Sequence, residues 1–147
     1  MRTIEATVVI DAPRAAVWEV LMAAGDYRDW NPFIRDVRGT FNLGARPRIR
    51  VRPVGRRAMT FRPRVVEEAP PVRLRWVGRL GLPGICDADH EFVLTEMADG
   101  TTHLTQRETF RGILVPLLAG ALAPTRQGFE AMHEALARLV ATVQVQR

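Results

Sequence analysis

The sequence contains no lysine, one cysteine and no long apolar run, and the last two features exclude whole classes of protein. All 21 basic residues among the 147 are arginine. With Cys86 as the one thiol, neither an internal disulfide nor a multi-thiolate metal site can form. No segment reaches the roughly 20 apolar residues that a membrane span requires, and charges interrupt the N-terminal stretch where a secretion signal would be apolar. We therefore expect a cytoplasmic protein without a membrane span.

Motifs for metals and cofactors are also missing. The three histidines, His90, His103 and His133, lack the i, i+4 or His-x-His spacing that metal sites use. No phosphate-binding loop, dinucleotide fingerprint or nucleophile elbow is present. The sequence therefore predicts neither a metal ion nor a cofactor.

What is present is the composition of an ordinary globular protein. Hydrophobic residues make up 47% of the chain and charged residues 25%, which argues against disorder. A chain of 147 residues fits one domain. We expect a single domain over residues 1–147, as a monomer or a homodimer.

Hydrophobic periodicity predicts an α+β order of elements. Residues 4–10 have the character of a strand, and Pro13 then opens a short helix. A second short helix is predicted at 27–33. From 34 to 112 apolar and polar residues alternate with a period of two, as in an antiparallel sheet with one face in the core and the other exposed to solvent.

The last third of the chain is predicted to be a long helix. Its buried stripe repeats at spacings of three and four, at Phe129, Met132, Leu136 and Leu139. Residues 114–122 are more uniformly apolar than one helix face needs. Proline inside a helix costs roughly 3 kcal/mol, so we expect a break or kink near Pro124.

The motifs along this order resemble the START-like helix-grip superfamily, also called SRPBCC, which includes birch-pollen allergens and polyketide cyclase/dehydratase proteins. The resemblance implies an α+β helix-grip fold, in which a curved antiparallel sheet wraps around the C-terminal helix and encloses an apolar pocket. It is carried by Val17, Trp18, Leu21 and Tyr27 and by the segments IDAP at 10–13, WNPF at 30–33, HEF at 90–92, DGTT at 99–102, QRETFRG at 106–112 and GFEAM at 128–132.

Function is less determined, and three classes stay open. The first is binding of a small hydrophobic molecule between the sheet and the long helix. The second is a cofactor-free enzyme of the aromatase/cyclase or dehydratase type, a lyase using acid–base groups in the pocket. The third is a non-catalytic partner-binding or stress-response module. We favour the first, with pocket candidates drawn from the inward positions: Trp30, Met59, Phe61, Trp76, His90, Phe92, Leu94, Gln106, Glu108, Phe129 and Met132.

Residues 46–79 hold eleven arginines and only two acids, Glu67 and Glu68. If their strands are neighbours, as the resemblance implies, the arginines form one basic outer face. Such a face could meet nucleic acid or anionic lipid, but it lacks the interleaved aromatics of single-strand binders. We expect a solvated face without a specific nucleic-acid partner, and exposed side chains at Arg48, Arg50, Arg73 and Arg75.

His90 and Glu108 are the candidate catalytic pair. The loop at 98–100 suits a three-residue hairpin that pairs Met97 with Thr101, and this register places His90 opposite Glu108 on the apolar face. At that separation the carboxylate could hold the imidazole by a hydrogen bond. The pair is either a buried structural element or a donor and general base for a ligand, with Glu108 orienting His90.

Overall fold

The predicted order of elements is confirmed by a computed structural model, which describes residues 1–79 and 82–146. One strand precedes two short helices, seven strands follow them, and one long helix ends the described chain, while 3-10 turns occupy Ala24–Asp26 and Val115–Leu118. The elements are β1 (Arg2–Ile10), α1 (Arg14–Met22), α2 (Tyr27–Trp30), β2 (Ile34–Arg38), β3 (Arg48–Val51), β4 (Met59–Phe61), β5 (Arg64–Ala69), β6 (Arg73–Arg79), β7 (Asp87–Glu96), β8 (Thr102–Arg111) and α3 (Ala119–Gln146).

The strands form a five-stranded antiparallel sheet in the order β1-β8-β7-β6-β5 and a three-stranded sheet in the order β2-β3-β4. The α+β helix-grip fold is confirmed, because the curved sheet packs around α3. Among the helices of the described residues, none combines the length and apolar character needed to cross a membrane.

The core forms where α3 meets the inner face of the five-stranded sheet. Phe129, Met132 and Leu136 are fully buried, as predicted, while Leu139 is half-buried and Val140 continues the buried stripe. The sheet side of this contact comes from the inward residues of β7 and β8, which include Phe92, Leu94 and Leu104.

The β7–β8 hairpin has the predicted register. The backbone N–H of Met97 donates to the carbonyl of Thr101 at 2.9 Å, and Gly100 closes the turn with a φ of 86°. His90 lies opposite Glu108, Phe92 opposite Gln106, and Leu94 opposite Leu104. The inward face therefore carries three polar side chains of β8, at positions 102, 106 and 108.

The strand arginines divide between the two sheets, so the strands that carry them are not all neighbours and one continuous basic face does not form. Arg48 and Arg50 are exposed on β3, which pairs with β2 and β4. Arg73 and Arg75 lie on β6 and are half-buried rather than exposed. They are covered because carboxylates on β5 and β7 bind their guanidinium groups.

The expected break at Pro124 does not occur, and α3 continues through this residue. Proline has no N–H to donate to the carbonyl of Gly120 one turn earlier. The Arg56 side chain donates to that carbonyl instead. The carbonyl of Pro124 accepts the backbone N–H of Val54 at 3.2 Å. The loop between β3 and β4 thus replaces the lost helical bond.

Gly128 sets the distance between α3 and the N-terminal half of the chain. A Cβ at this position would lie 2.3 Å from the Phe33 ring, which also packs edge-on against Phe129 with ring centroids 5.3 Å apart. Real Cβ atoms do not approach a ring carbon this closely. Only glycine fits while Phe33 holds its place.

We predict that Gly128→Ala lowers the free energy of unfolding by about 1–3 kcal/mol, because overpacking outweighs the gain of up to about 1 kcal/mol in helix propensity. Urea denaturation measures the change. Gly25→Ala is the control, since a Cβ at Gly25 would meet no atom within 4 Å. Equal stability of the Gly128→Ala protein and the wild type would contradict the close-packing argument.

Candidate ligand-binding site

An inner pocket of about 140 Å³ lies where the start of α3 passes over one end of the sheet and over β4. Its walls are mostly apolar. Glu108 on β8 is the one carboxylate among them. The apolar walls include Phe33, Phe61, Phe110, Leu118 and Leu122.

Three of the eleven residues predicted for the pocket line it, namely Met59, Phe61 and Glu108. The remaining eight do not border this pocket. Trp30 is half-buried against Tyr27 beside α2, with ring centroids 5.1 Å apart. The other seven are packed inside the core: Trp76, His90, Phe92, Leu94, Gln106, Phe129 and Met132.

Side chains fill the space beneath the middle of α3, where the sequence predicted an opening. Phe41, from the loop after β2, stacks on Trp76 with centroids 5.2 Å apart. Trp76 stacks in turn on His90 at 4.4 Å with a 9° angle between the rings. Phe92 and Phe129 close the sides of this stack edge-on. The open space is therefore displaced toward the N-terminal end of α3.

A buried hydrogen-bonded chain of three side chains crosses the core beside that stack. Gln106 Oε1 accepts from His133 Nε2 at 2.9 Å, and Gln106 Nε2 lies 3.0 Å from His90 Nε2. An amide nitrogen can only donate, so His90 Nε2 accepts and its proton is on Nδ1. Burial lowers the pKa of His90 to about 3 and that of His133 to about 4. Both rings are therefore neutral near pH 7.

The predicted hydrogen bond between His90 and Glu108 is not formed. The two residues face each other in the register, but His90 Nε2 bonds to Gln106, its diagonal neighbour on β8. A long amide side chain reaches across such a diagonal. Within the described residues, His90 Nδ1 has no hydrogen-bond partner. The imidazole thus belongs to the core chain, and the carboxyl group of Glu108 faces the pocket.

Glu108 is the polar group of the pocket with unusual electrostatics. Burial raises its pKa to about 7, and the negative charge of Asp89 raises it further. In the part of the chain that the structure describes, no hydrogen bond or ion pair holds its carboxyl group. Near neutral pH the group is present both as acid and as carboxylate, so it can donate or accept a proton.

Sequence reasoning missed the wall that the start of α3 provides. Leu118, Ala121, Leu122 and Thr125 all line the pocket. The usable signal was the uniformly apolar stretch at 114–122, which has more apolar residues than packing on one side requires. Phe33 gave no such signal, because aromatic residues near a short helix are commonly core residues.

Comparison with known proteins agrees with this architecture. The sequence matches the family described as polyketide cyclase/dehydrase and lipid transport over residues 1–144. None of the curated proteins is significantly similar in sequence.

Solved structures share the fold at low identity. DynU16, a protein of the dynemicin biosynthetic locus, is 20% identical with a TM-score of 0.71, over 95% of this chain and 47% of its own. MLL2253 from Mesorhizobium loti is 19% identical (TM-score 0.73), over 96% and 98% of the two chains. A START superfamily protein from Mycobacterium smegmatis is 17% identical (TM-score 0.73), over 96% and 98%. The chain thus spans about half of DynU16 and nearly all of the other two.

The fold shared with these structures is that of START-like proteins. With the family match over residues 1–144, the chain belongs to the polyketide cyclase/dehydrase and lipid transport family. At identities of 20% or less, the structural likeness shows the fold alone.

The raised pKa of Glu108 predicts a pH-dependent difference between the wild type and Glu108→Gln. The folded protein holds the proton up to about pH 7, whereas the reference pKa of the group is 4.5. The stability that this proton contributes is complete below pH 4.5 and is lost as pH rises through 7. Relative to the wild type, Glu108→Gln should therefore gain about 1–3 kcal/mol between pH 4 and pH 8.

Urea titrations of both proteins at several pH values measure this difference. Protonation of His90 and His133 destabilises each protein as pH falls below 6.5, but this effect is common to both and cancels. A difference that stays constant from pH 4 to pH 8 would contradict the buried position of the Glu108 carboxyl group.

Proposed function

We propose that the protein binds a small, mainly apolar molecule in the inner pocket, with a polar group of that molecule directed at Glu108. The observation that carries the proposal is an apolar pocket with one carboxyl group that has no partner among the described residues. Apolar walls with a few placed polar groups are the usual form of a small-molecule site. The family description, which includes lipid transport, supports the same class of ligand.

The size of the pocket restricts the ligand. A dry apolar cavity of about 150 Å³ holds a molecule of the size of benzene, so a space of about 140 Å³ holds about one ring as it stands. A larger molecule requires the segment around Leu118 and Leu122 to move outward. Close to this segment in the chain, Leu117 is 79% exposed and Ile113 is 77% exposed. These side chains form an apolar surface that a ligand can contact before it enters the pocket.

Catalysis of the cyclase or dehydratase type is the second candidate, and the pKa of Glu108 favours it. A group with a pKa near the working pH is effective in proton transfer. As a carboxylate, Glu108 would take a proton from a carbon beside a carbonyl group. As an acid, it would return a proton to a departing hydroxyl group, which leaves as water. Such chemistry needs no cofactor.

Filling the pocket tests the binding proposal. We expect Leu122→Trp to weaken binding of 2-naphthol, a neutral two-ring probe, by at least about tenfold, because the indole ring occupies the space of the probe. Fluorescence titration measures the affinity. The control is Leu43→Trp, which adds the same ring at an exposed position in the loop after β2, away from the pocket. Equal affinity in the two variants would place the probe elsewhere and remove the proposal.

Glu108→Gln separates binding from catalysis. An amide keeps the size and hydrogen-bonding ability of the acid but cannot transfer a proton. We expect 2-naphthol affinity within about threefold of the wild type, a difference of less than about 0.7 kcal/mol. Turnover of a β-hydroxy thioester to the unsaturated product, followed by its ultraviolet absorbance, should fall at least about a hundredfold. No turnover by the wild type would eliminate the enzyme candidate and leave the binding protein.

A further inference from the structure

Arginines on the outer face of the five-stranded sheet occupy two different environments. In the first, acids and arginines alternate from strand to strand. Arg107 donates to Glu5 at 2.7 Å and to Glu91 at 2.8 Å. Arg73 binds the same Glu91 and lies 3.4 Å from Glu67. This row runs from β1 to β5, and each of its arginines has at least one carboxylate partner.

In the second environment, arginines surround a groove of about 660 Å³ on the outer face near the ends of β5, β6, β7 and β8. Two of its six arginines are neutralised. Arg75 binds Asp89 through two bonds of 2.8 and 2.6 Å, and Arg79 lies 3.9 Å from Asp87. Asp87 and Asp89 also line the groove, and Asp89 attracts Arg111 electrostatically. In the described ranges 1–79 and 82–146, however, no carboxylate lies within ion-pairing distance of the other four, which are Arg46, Arg62, Arg64 and Arg111.

Four unpaired guanidinium groups around one concavity repel one another, and an anion between them would remove that repulsion. The guanidinium fork presents two parallel N–H donors, which match the oxygens of a phosphate group better than a lysine ammonium does. The groove also has an apolar part, formed by Val66, Val77 and Ala88. Its lining thus combines several anion-binding forks with a surface for an apolar group.

We propose that this groove binds a soluble phosphorylated small molecule that carries at least two negative charges and an apolar portion. A volume of about 660 Å³ lies within the usual range of small-molecule sites, roughly 300–1,000 Å³. A flat lipid surface would touch the rim of a concave groove but not its floor. This geometry favours a soluble ligand over a membrane.

The outer groove and the inner pocket lie on opposite sides of the sheet. Gly78 and Ala88, which pair across β6 and β7, border both spaces, and so does Arg79, whose acid partner is Asp87. The backbone of this pair separates them, and the arginines without acid partners line only the groove. Binding in the groove is therefore independent of the proposed function, and Leu122→Trp should leave it unchanged.

Inorganic pyrophosphate is the probe, and isothermal titration calorimetry at low ionic strength measures its affinity. We expect Arg64→Gln combined with Arg111→Gln to weaken binding by at least about tenfold, since the loss of one charged hydrogen bond alone costs about that factor. The control is Arg48→Gln combined with Arg50→Gln, which removes the same charge from exposed positions on the other sheet. We expect it to change the affinity by less than about twofold.

A second pair of substitutions covers the case in which the strand variants fail to fold. Arg46 and Arg62 lie outside the strands, so Arg46→Gln combined with Arg62→Gln should fold normally and also weaken binding about tenfold. Thermal melts confirm that each variant is folded. Pyrophosphate should raise the melting temperature of the wild type and of the control.

Four results would overturn the proposal. The first is no pyrophosphate binding by the wild type, and the second is equal loss in the groove and control variants, which would indicate general charge attraction. The third is binding to vesicles containing phosphatidic acid without binding to pyrophosphate, which would indicate a membrane surface. The fourth is binding to a single-stranded oligonucleotide, without binding to pyrophosphate, that the two groove double variants weaken equally.

Discussion

The register of the β7–β8 hairpin is the constraint on which both faces of the sheet depend. It is set by the turn at Gly100 and by burial of an apolar face. A slip of one residue would turn Gln106 and Glu108 toward solvent and bring Arg107 into the core. The same slip would separate Arg107 from Glu91 on the outer face. The core, the pocket and the outer ion pairs therefore all depend on the same hairpin register.

That alignment was predictable from the sequence because its causes are local. A three-residue turn and the alternation of apolar side chains both lie within 20 or so residues of chain, and both favour the same pairing. The position of the pocket was not predictable, because it depends on which side chains fill the space between the five-stranded sheet and the middle of α3. Phe41 does so from a loop without periodicity, and its stacking on Trp76 follows from the path of the chain between β2 and β3.

Long polar side chains were the second reason why predictions from the sequence differed from the structure. Gln106 could bond to any neighbour within reach, and it bridges His90 and His133, which are 43 positions apart in the chain. Arg73 and Arg75 were expected in solvent, yet acids of the adjacent strands cover them. Pattern analysis assigns a side chain to a face, whereas its partner depends on length, rotamer and competing charges.

The bond from Arg56 to Gly120 has a consequence for how the long helix opens. Backbone bonds hold most turns of a helix, but at this point a flexible surface side chain carries the connection. Breaking this solvated contact leaves the first turns held by the packing of Leu122 and by the bond from Val54 to Pro124, whereas Phe129, Met132 and Leu136 keep the remainder fixed in the core. Amide hydrogens at 119–123 should thus exchange through local fraying rather than global unfolding. The protein can enlarge its interior at one end without giving up the stability of the rest.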